Sequence, residues 1–147
     1  MPMNHKVFLA QFDAIKKLAS EGPCVMVGRC ADYALSEYKD CFSVFVHADT
    51  DWRINRLSQK HNKTAKEAKD MINKTDKSRS SYYNYYTNKK WGAASSYNLC
   101  VDSSKLGIDG AAKAIIQAIE IFDSIKIIGL YFYRYFTTSL VKYLFFG

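Results

Sequence analysis

Residues 22–57 read GPCVMVGRCADYALSEYKDCFSVFVHADTDWRINRL. Two short apolar runs stand in this stretch, Cys24–Val27 and Phe42–Val46. Each is too short for a helix and rich in valine or phenylalanine, and glycine or polar residues follow it, which predicts strands buried on both faces of a parallel sheet. Between them, residues 31–38 have the length and composition of a short helix. Upstream, Val7, Phe8, Phe12, Ile15 and Leu18 recur at spacings of three and four with Lys16 and Lys17 opposite, predicting an amphipathic helix over 6–20 that Gly22 and Pro23 end.

Downstream, Asp49 or Thr50 can cap a helix over 51–59, and Thr64 with Glu67 forms a capping box for a second helix to about Asn73. A third helical stretch over 76–86 carries the doublets Tyr82-Tyr83 and Tyr85-Tyr86, read as packing residues. A third strand is expected at Leu99–Val101, then a helix capped by Asp109 that runs through Ile115, Ile116, Ile119 and Phe122. The alternation is that of an α/β fold with a parallel sheet between helical layers.

A chain of 147 residues with two prolines makes one compact domain. At 48% hydrophobic and 24% charged it is neither disordered throughout nor low-complexity. The net charge is +7, and residues 53–90 hold eleven basic against three acidic side chains, a local +8 that leaves −1 for everything else. Such an excess suits an anion, although a solvated helical face has the same composition. The four cysteines, Cys24, Cys30, Cys41 and Cys100, have neither CxxC nor zinc-ligand spacing and read as reduced thiols, with Cys24 and Cys100 in the core and no metal site. Met1–Lys6 leads into no apolar h-region, so the expected compartment is the cytoplasm. Residues 124–147 differ in character: the 23 from Ile125 hold eight aromatics, no acid, and only Lys126, Arg134 and Lys142 as charges. Contact of this tail with a membrane and a non-native extension both fit that pattern.

Parallel sheets bind ligands beyond the carboxyl ends of their strands. Here that edge carries Gly28-Arg29-Cys30-Ala31-Asp32, then Asp49 through Arg53 and Arg56, then Asp102-Ser103-Ser104. Arginine at such an edge is a fork for phosphate, and a carboxylate beside it accepts hydrogen bonds from a sugar or base. Each alone is also an ordinary surface feature: Arg53 and Arg56 could be an i, i+3 pair on a helix face.

The segments GPCVMVGRCADYAL (22–35), FSVFVHADTDWRINRL (42–57), INKTDKSRSSYYNYYTNKKWG (72–92) and YNLCVDSSKLGIDGAAKAI (97–115) together resemble, in order and spacing, the later part of cytidylate kinase-like proteins, members of the P-loop nucleoside monophosphate kinases. The resemblance covers about residues 6–122 and excludes the tail. It implies a P-loop kinase sheet, a helical lid over about 53–92, and a domain ending near 123. It also implies catalytic roles for Arg53, Arg56 and Arg79 on the transferring phosphoryl group, and acceptor-binding roles for Arg29, Asp32 and Asp76. The intact enzyme would use ATP and Mg²⁺ with a nucleoside monophosphate, CMP in type.

One departure matters. The seven glycines, Gly22, Gly28, Gly92, Gly107, Gly110, Gly129 and Gly147, nowhere form a Walker A loop, whose backbone N–H groups would cradle phosphates. The resemblance then implies an incomplete sheet of three strands that lacks the family's first two. The chain is expected to be inactive alone, to hold neither cofactor by itself, and to self-associate through exposed strand edges. The alternative from another class is a non-catalytic protein whose segment 53–90 binds nucleic acid or an acidic partner. Interleaved lysine and tyrosine would suit single strands, but a nucleoside monophosphate is the expected partner.

Overall fold

The computed structural model describes residues 5–130 and 145–146. Its elements are α1 (His5–Glu21), α2 (Ala31–Ala34), β1 (Val44–His47), α3 (Thr50–His61), α4 (Ala65–Thr87), β2 (Leu99–Asp102), α5 (Ser103–Leu130) and β3 (Phe145–Phe146). The fold is mixed α/β and mostly helical, around one parallel sheet of order β2-β1-β3. The strands β1 and β2 pair in register Val44↔Leu99 to His47↔Asp102. Both carboxyl ends therefore open on the same edge.

Alternation along β1 builds the main core. Phe42, Val44 and Val46 turn to one side and meet Val101 of β2 and Ala111, Ile115 and Ile119 of α5. Val44 is fully buried. The strand pair is locked at its amino end, where Asn98 Oδ1 accepts from both the backbone N–H and the hydroxyl of Ser43, at 2.8 Å each. The Ser43 carbonyl accepts in return from the N–H groups of Asn98 and Leu99. At the carboxyl end the Ser103 hydroxyl donates to the His47 carbonyl at 3.0 Å, which holds the start of α5 to β1.

The helix α4 is one element of 23 residues, not the two expected with a break before Asp76. Its start is the capping box read from Thr64 and Glu67. Asn62, with φ 50°, supplies the left-handed turn out of α3, so α3 and α4 form a hairpin that leaves β1 and returns toward β2. The element α5 opens with a short helical turn from Ser103 and breaks at Gly107, whose φ of 70° and ψ of 171° lie outside helical geometry, so its long helix starts beyond Gly107, close to the start expected at Asp109. Asp49 precedes α3 as expected but makes no side-chain cap; its carboxylate pairs with Lys105 at 3.3 Å.

Cys24–Val27 does not join the sheet. The segment is extended, but among the described residues nothing hydrogen-bonds its backbone. Cys24 and Met26 pack on the second core, formed by Ile15, Ala19, Ala31, Ala34 and Leu35, while Val25 and Val27 are 59% and 58% exposed. A strand buried on both faces needs a neighbour on each side and a layer above and below; this one has one layer and no neighbour. The three strands are thus not the three expected, since β3 stands where 24–27 was counted. Nor do Cys24 and Cys100 sit in the core: both are half-buried, and Cys30, at 4% exposure, is the buried thiol. All four cysteines are unbridged.

Apart from the end of α5 and β3, the distinctive tail lies outside the described residues. Among the described residues no helix is long and apolar enough to cross a membrane.

Backbone protection should follow this division. In hydrogen exchange the Val25, Met26 and Val27 amides should exchange orders of magnitude faster than those of the β1–β2 ladder, because only the latter need the core to open. Equal protection in both segments would show that 24–27 is paired in solution.

Candidate functional site

The hairpin of α3 and α4 encloses, with β1, a cleft of about 540 Å³. Helical spacing decides what lines it. On α3 the inward row is Arg53, Arg56, Leu57, Lys60 and His61; on α4 it is Ile72, Thr75, Asp76 and Arg79. Each row repeats at three and four residues, so each is one helix face. Phe45 of β1, Trp52, and Trp91 with Gly92 after α4 supply the aromatic wall. The cleft sits at the carboxyl end of β1, the edge where parallel sheets bind ligands.

Arg53 and Asp76, 23 residues apart, form a two-pronged ion pair: Nη1 donates to Oδ2 and Nη2 to Oδ1, at 2.7 Å each. Both side chains are about one-quarter exposed. Hydrogen bonding to Asp76 raises the Arg53 pKa further, so that the guanidinium stays charged. Asp76 has both oxygens on Arg53 and holds it in place; that is its visible function in this structure. The exposed Arg56 lies over the Trp52 ring at 5.5 Å from the centroid. Exposed Arg79 makes no ion pair among the described residues. Lys60, also exposed, adds a fourth cation to the lining.

Arg29 and Asp32 do not line this cleft. Arg29 is exposed on an unusual turn in which Gly28, Arg29 and Cys30 all have positive φ, at 72°, 59° and 54°. Side chains at two consecutive left-handed positions cost roughly 1–2 kcal/mol each. What holds the turn is downstream: the Gly28 carbonyl accepts from Ala31 N–H, and the Cys30 carbonyl from Tyr33 and Ala34 N–H. The Cys30 thiol is pushed up to about 12 by burial and by the Asp32 charge, so it stays protonated and unreactive.

Asp32 is 5% exposed. Its Oδ2 accepts from the Tyr83 hydroxyl at 2.6 Å and lies 3.8 Å from Lys89 Nζ, while Oδ1 is buried with no hydrogen-bond partner. It borders a smaller polar recess of about 290 Å³ with Ser43, Lys89, Tyr97 and Asn98. Burial raises the Asp32 pKa, against the lowering influence of Tyr83, Lys89 and nearby backbone N–H groups. The doublet tyrosines divide accordingly. Tyr83 is buried on Asp32, Tyr86 stacks on Phe8 of α1 at 4.0 Å between centroids, and Tyr85 is 77% exposed.

Phe45, Lys60, His61 and Trp91 escaped the sequence reading. The signals were present: Lys60 continues the Arg53, Arg56 row by four, and Trp91 follows two lysines.

The pH dependence of stability tests the Asp32 geometry. A carboxyl whose folded pKa is raised above its unfolded value binds more protons when folded, so it favours folding below the ordinary carboxylate value and loses that contribution as pH rises through the folded pKa. Denaturant melts of wild type should therefore lose stability over the window above about 3.8, and Asp32→Asn, which keeps an acceptor for Tyr83, should flatten that loss. An unchanged slope in the variant would assign it to another group.

No curated protein matches the sequence. Among solved structures, the chain is similar to an uncharacterized protein from Eubacterium ventriosum ATCC 27560, with a TM-score of 0.77 and 33% identity over 82% of this chain and 68% of that one. The model of the Cytidylate kinase-like family matches residues 1–105, which hold Arg29, Asp32 and the whole basic cleft; this chain belongs to that family.

Proposed function

We propose that the cleft between β1, α3 and α4 binds phosphate, and that the chain is the acceptor-binding and lid portion of a nucleoside monophosphate kinase, with the α3–α4 hairpin as its lid. The observation that carries this reading is the convergence of Arg53, Arg56 and Arg79, with Lys60, from two helices on one cleft at the carboxyl end of β1. Phosphoryl transfer asks a protein mainly for positioning and positive charge. Arg53, fixed by Asp76, is the positioned charge; Arg56 and Arg79 are the ones able to swing onto a ligand. Arg29 and Asp32, which lie outside this cleft, the latter held by Tyr83 farther along α4, would hold the monophosphate acceptor, CMP in type.

The cleft suits the phosphate chain of ATP, the family's donor, by charge and by size, since small-molecule sites span roughly 300–1,000 Å³. Mg²⁺ would serve to neutralise that chain, but these residues do not suit the ion. Asp76, the carboxylate among the lining residues, is engaged by Arg53, and among the described residues no group of three or more His, Cys, Asp and Glu is placed around a common point. With no Walker A loop in the 147 residues, the chain on this reading binds phosphate and does not turn over. The exposed Val25 and Val27, on a backbone without partners among the described residues, support the accompanying proposal of self-association through this edge.

Calorimetric titration with inorganic tripolyphosphate tests the reading. Binding should be salt-sensitive, and Arg56→Ala and Arg79→Ala should each weaken it roughly tenfold or more, as expected for losing a charge-assisted hydrogen bond. Absence of binding, or indifference to both substitutions, would remove the phosphate assignment. Turnover of ATP with CMP by the chain alone would overturn the claim of inactivity.

A further inference from the structure

The arginines of the cleft are held in different ways. Arg53 gives Nη1 and Nη2 to the carboxylate of Asp76. Arg79 makes no ion pair among the described residues. Arg56 stands between these cases, with its guanidinium over the Trp52 ring at 5.5 Å from the centroid. The two residues are four apart on α3, so they lie one turn apart on the same face, and both line the cleft.

What each contact does to its arginine follows from what it spends. A carboxylate takes N–H donors, as Asp76 does from Arg53, whereas a ring attracts the cation through its π electrons and takes none. Among the described residues no ion pair or hydrogen bond engages Arg56, so the contact gives this exposed side chain a resting place while its donors stay free for a ligand. An arginine that closes on an anion from full rotamer freedom loses that freedom on binding, and one already held has less to lose. Packing does not account for Trp52. No residue of α3 is buried, Trp52 itself is half-buried at the wall of the cleft, and it belongs to none of the buried apolar clusters among the described residues.

We infer that Trp52 is a positioning residue for anion binding: it holds Arg56 at the cleft with its donors unspent, and so raises the affinity of the site for a phosphate chain without itself touching the ligand. This rests on the phosphate reading of the same cleft and adds to it a residue that acts through Arg56. The division of labour on α3 is then complete. Arg53 is fixed by a carboxylate at the expense of its donors, and Arg56 is fixed by a ring at no such expense.

Calorimetry with inorganic tripolyphosphate tests the role. Trp52→Leu, which keeps apolar volume and removes the ring, should weaken binding roughly two- to fivefold, the scale of an exposed cation–π contact. Trp52→Phe, which keeps a ring, should stay closer to wild type. A purely structural tryptophan would cost the same affinity whether or not Arg56 is present; here the loss should vanish in the Arg56→Ala background, so that the double variant binds as Arg56→Ala does. A second measurement needs no ligand. The chain has two tryptophans, so Trp91→Phe leaves Trp52 as the only indole, and adding Arg56→Ala should then shift its emission. Equal losses from Trp52→Leu in both backgrounds, no loss in either, or an emission indifferent to Arg56 would overturn the role of Trp52 and leave the phosphate site standing. Failure of wild type to bind tripolyphosphate would instead remove the phosphate reading, and this inference with it.

Discussion

Two strands of four residues each carry this molecule. The parallel pairing of β1 with β2 brings residues 55 apart into register, and the loop it closes contains the entire basic hairpin. Closing so long a loop has an entropic cost that grows only slowly with its length, but it must be met by the few contacts at the junction. Those contacts are unusually complete. Ser43 and Asn98 exchange side-chain and backbone hydrogen bonds at one end, and Ser103 ties to His47 at the other. Buried Val44, Val46 and Val101 against α5 supply the apolar part. Loss of Asn98 would orphan the buried Ser43 donors it now accepts, so the cost falls on the junction itself and not on the surface.

The hairpin beyond this junction has little core of its own. No residue of α3 is buried, and α4 buries Ala68, Ile72, Tyr83 and Thr87 along 23 residues. Its two helices are joined in part by the Arg53–Asp76 pair. Exposed pairs contribute about 0–1 kcal/mol, and this one, bidentate and one-quarter exposed, belongs near the upper end. The far end of α4 is anchored differently, through Tyr83 to the buried Asp32 and through Tyr82 and Tyr86 to Phe8 of α1.

Much of this was legible in the sequence, and the exceptions share a cause. The strands at 44–47 and 99–102 were readable because short valine-rich runs need burial on both faces, and the capping box at Thr64 and Glu67 because its chemistry is local. Arg53, Arg56 and Arg79 were picked out by the resemblance, since helical spacing alone fits an ordinary surface pair equally well. Cys24–Val27 has the same composition as β1, but composition states a need and not whether a neighbouring strand satisfies it. The Arg53–Asp76 and Tyr83–Asp32 partnerships join residues 23 and 51 positions apart, and no periodicity encodes such a match. Apolar neighbours in the sequence pointed to Cys24 and Cys100 as the core thiols, but it is Cys30 that is buried, by Phe8 of α1 and Tyr83 of α4, which no local pattern encodes.

That turn is where local and tertiary preferences disagree most openly. Arg29 and Cys30 both occupy left-handed backbone that their side chains disfavour. Relaxing the turn would change the direction in which the chain enters α2. Ala31 and Leu35, each fully buried, and Asp32, hydrogen-bonded to Tyr83, would all have to move with it. The packing therefore over-determines a conformation that the local sequence would not choose, the circumstance in which strain persists in folded proteins. Its effect is to leave Arg29 exposed three residues before a buried carboxylate anchored to α4. A change in the position of α4 at Tyr83 would be felt at Asp32, two residues past the end of the strained turn. The two groups of residues share no cleft, but both touch α4, Asp32 through Tyr83 and Arg53 through Asp76.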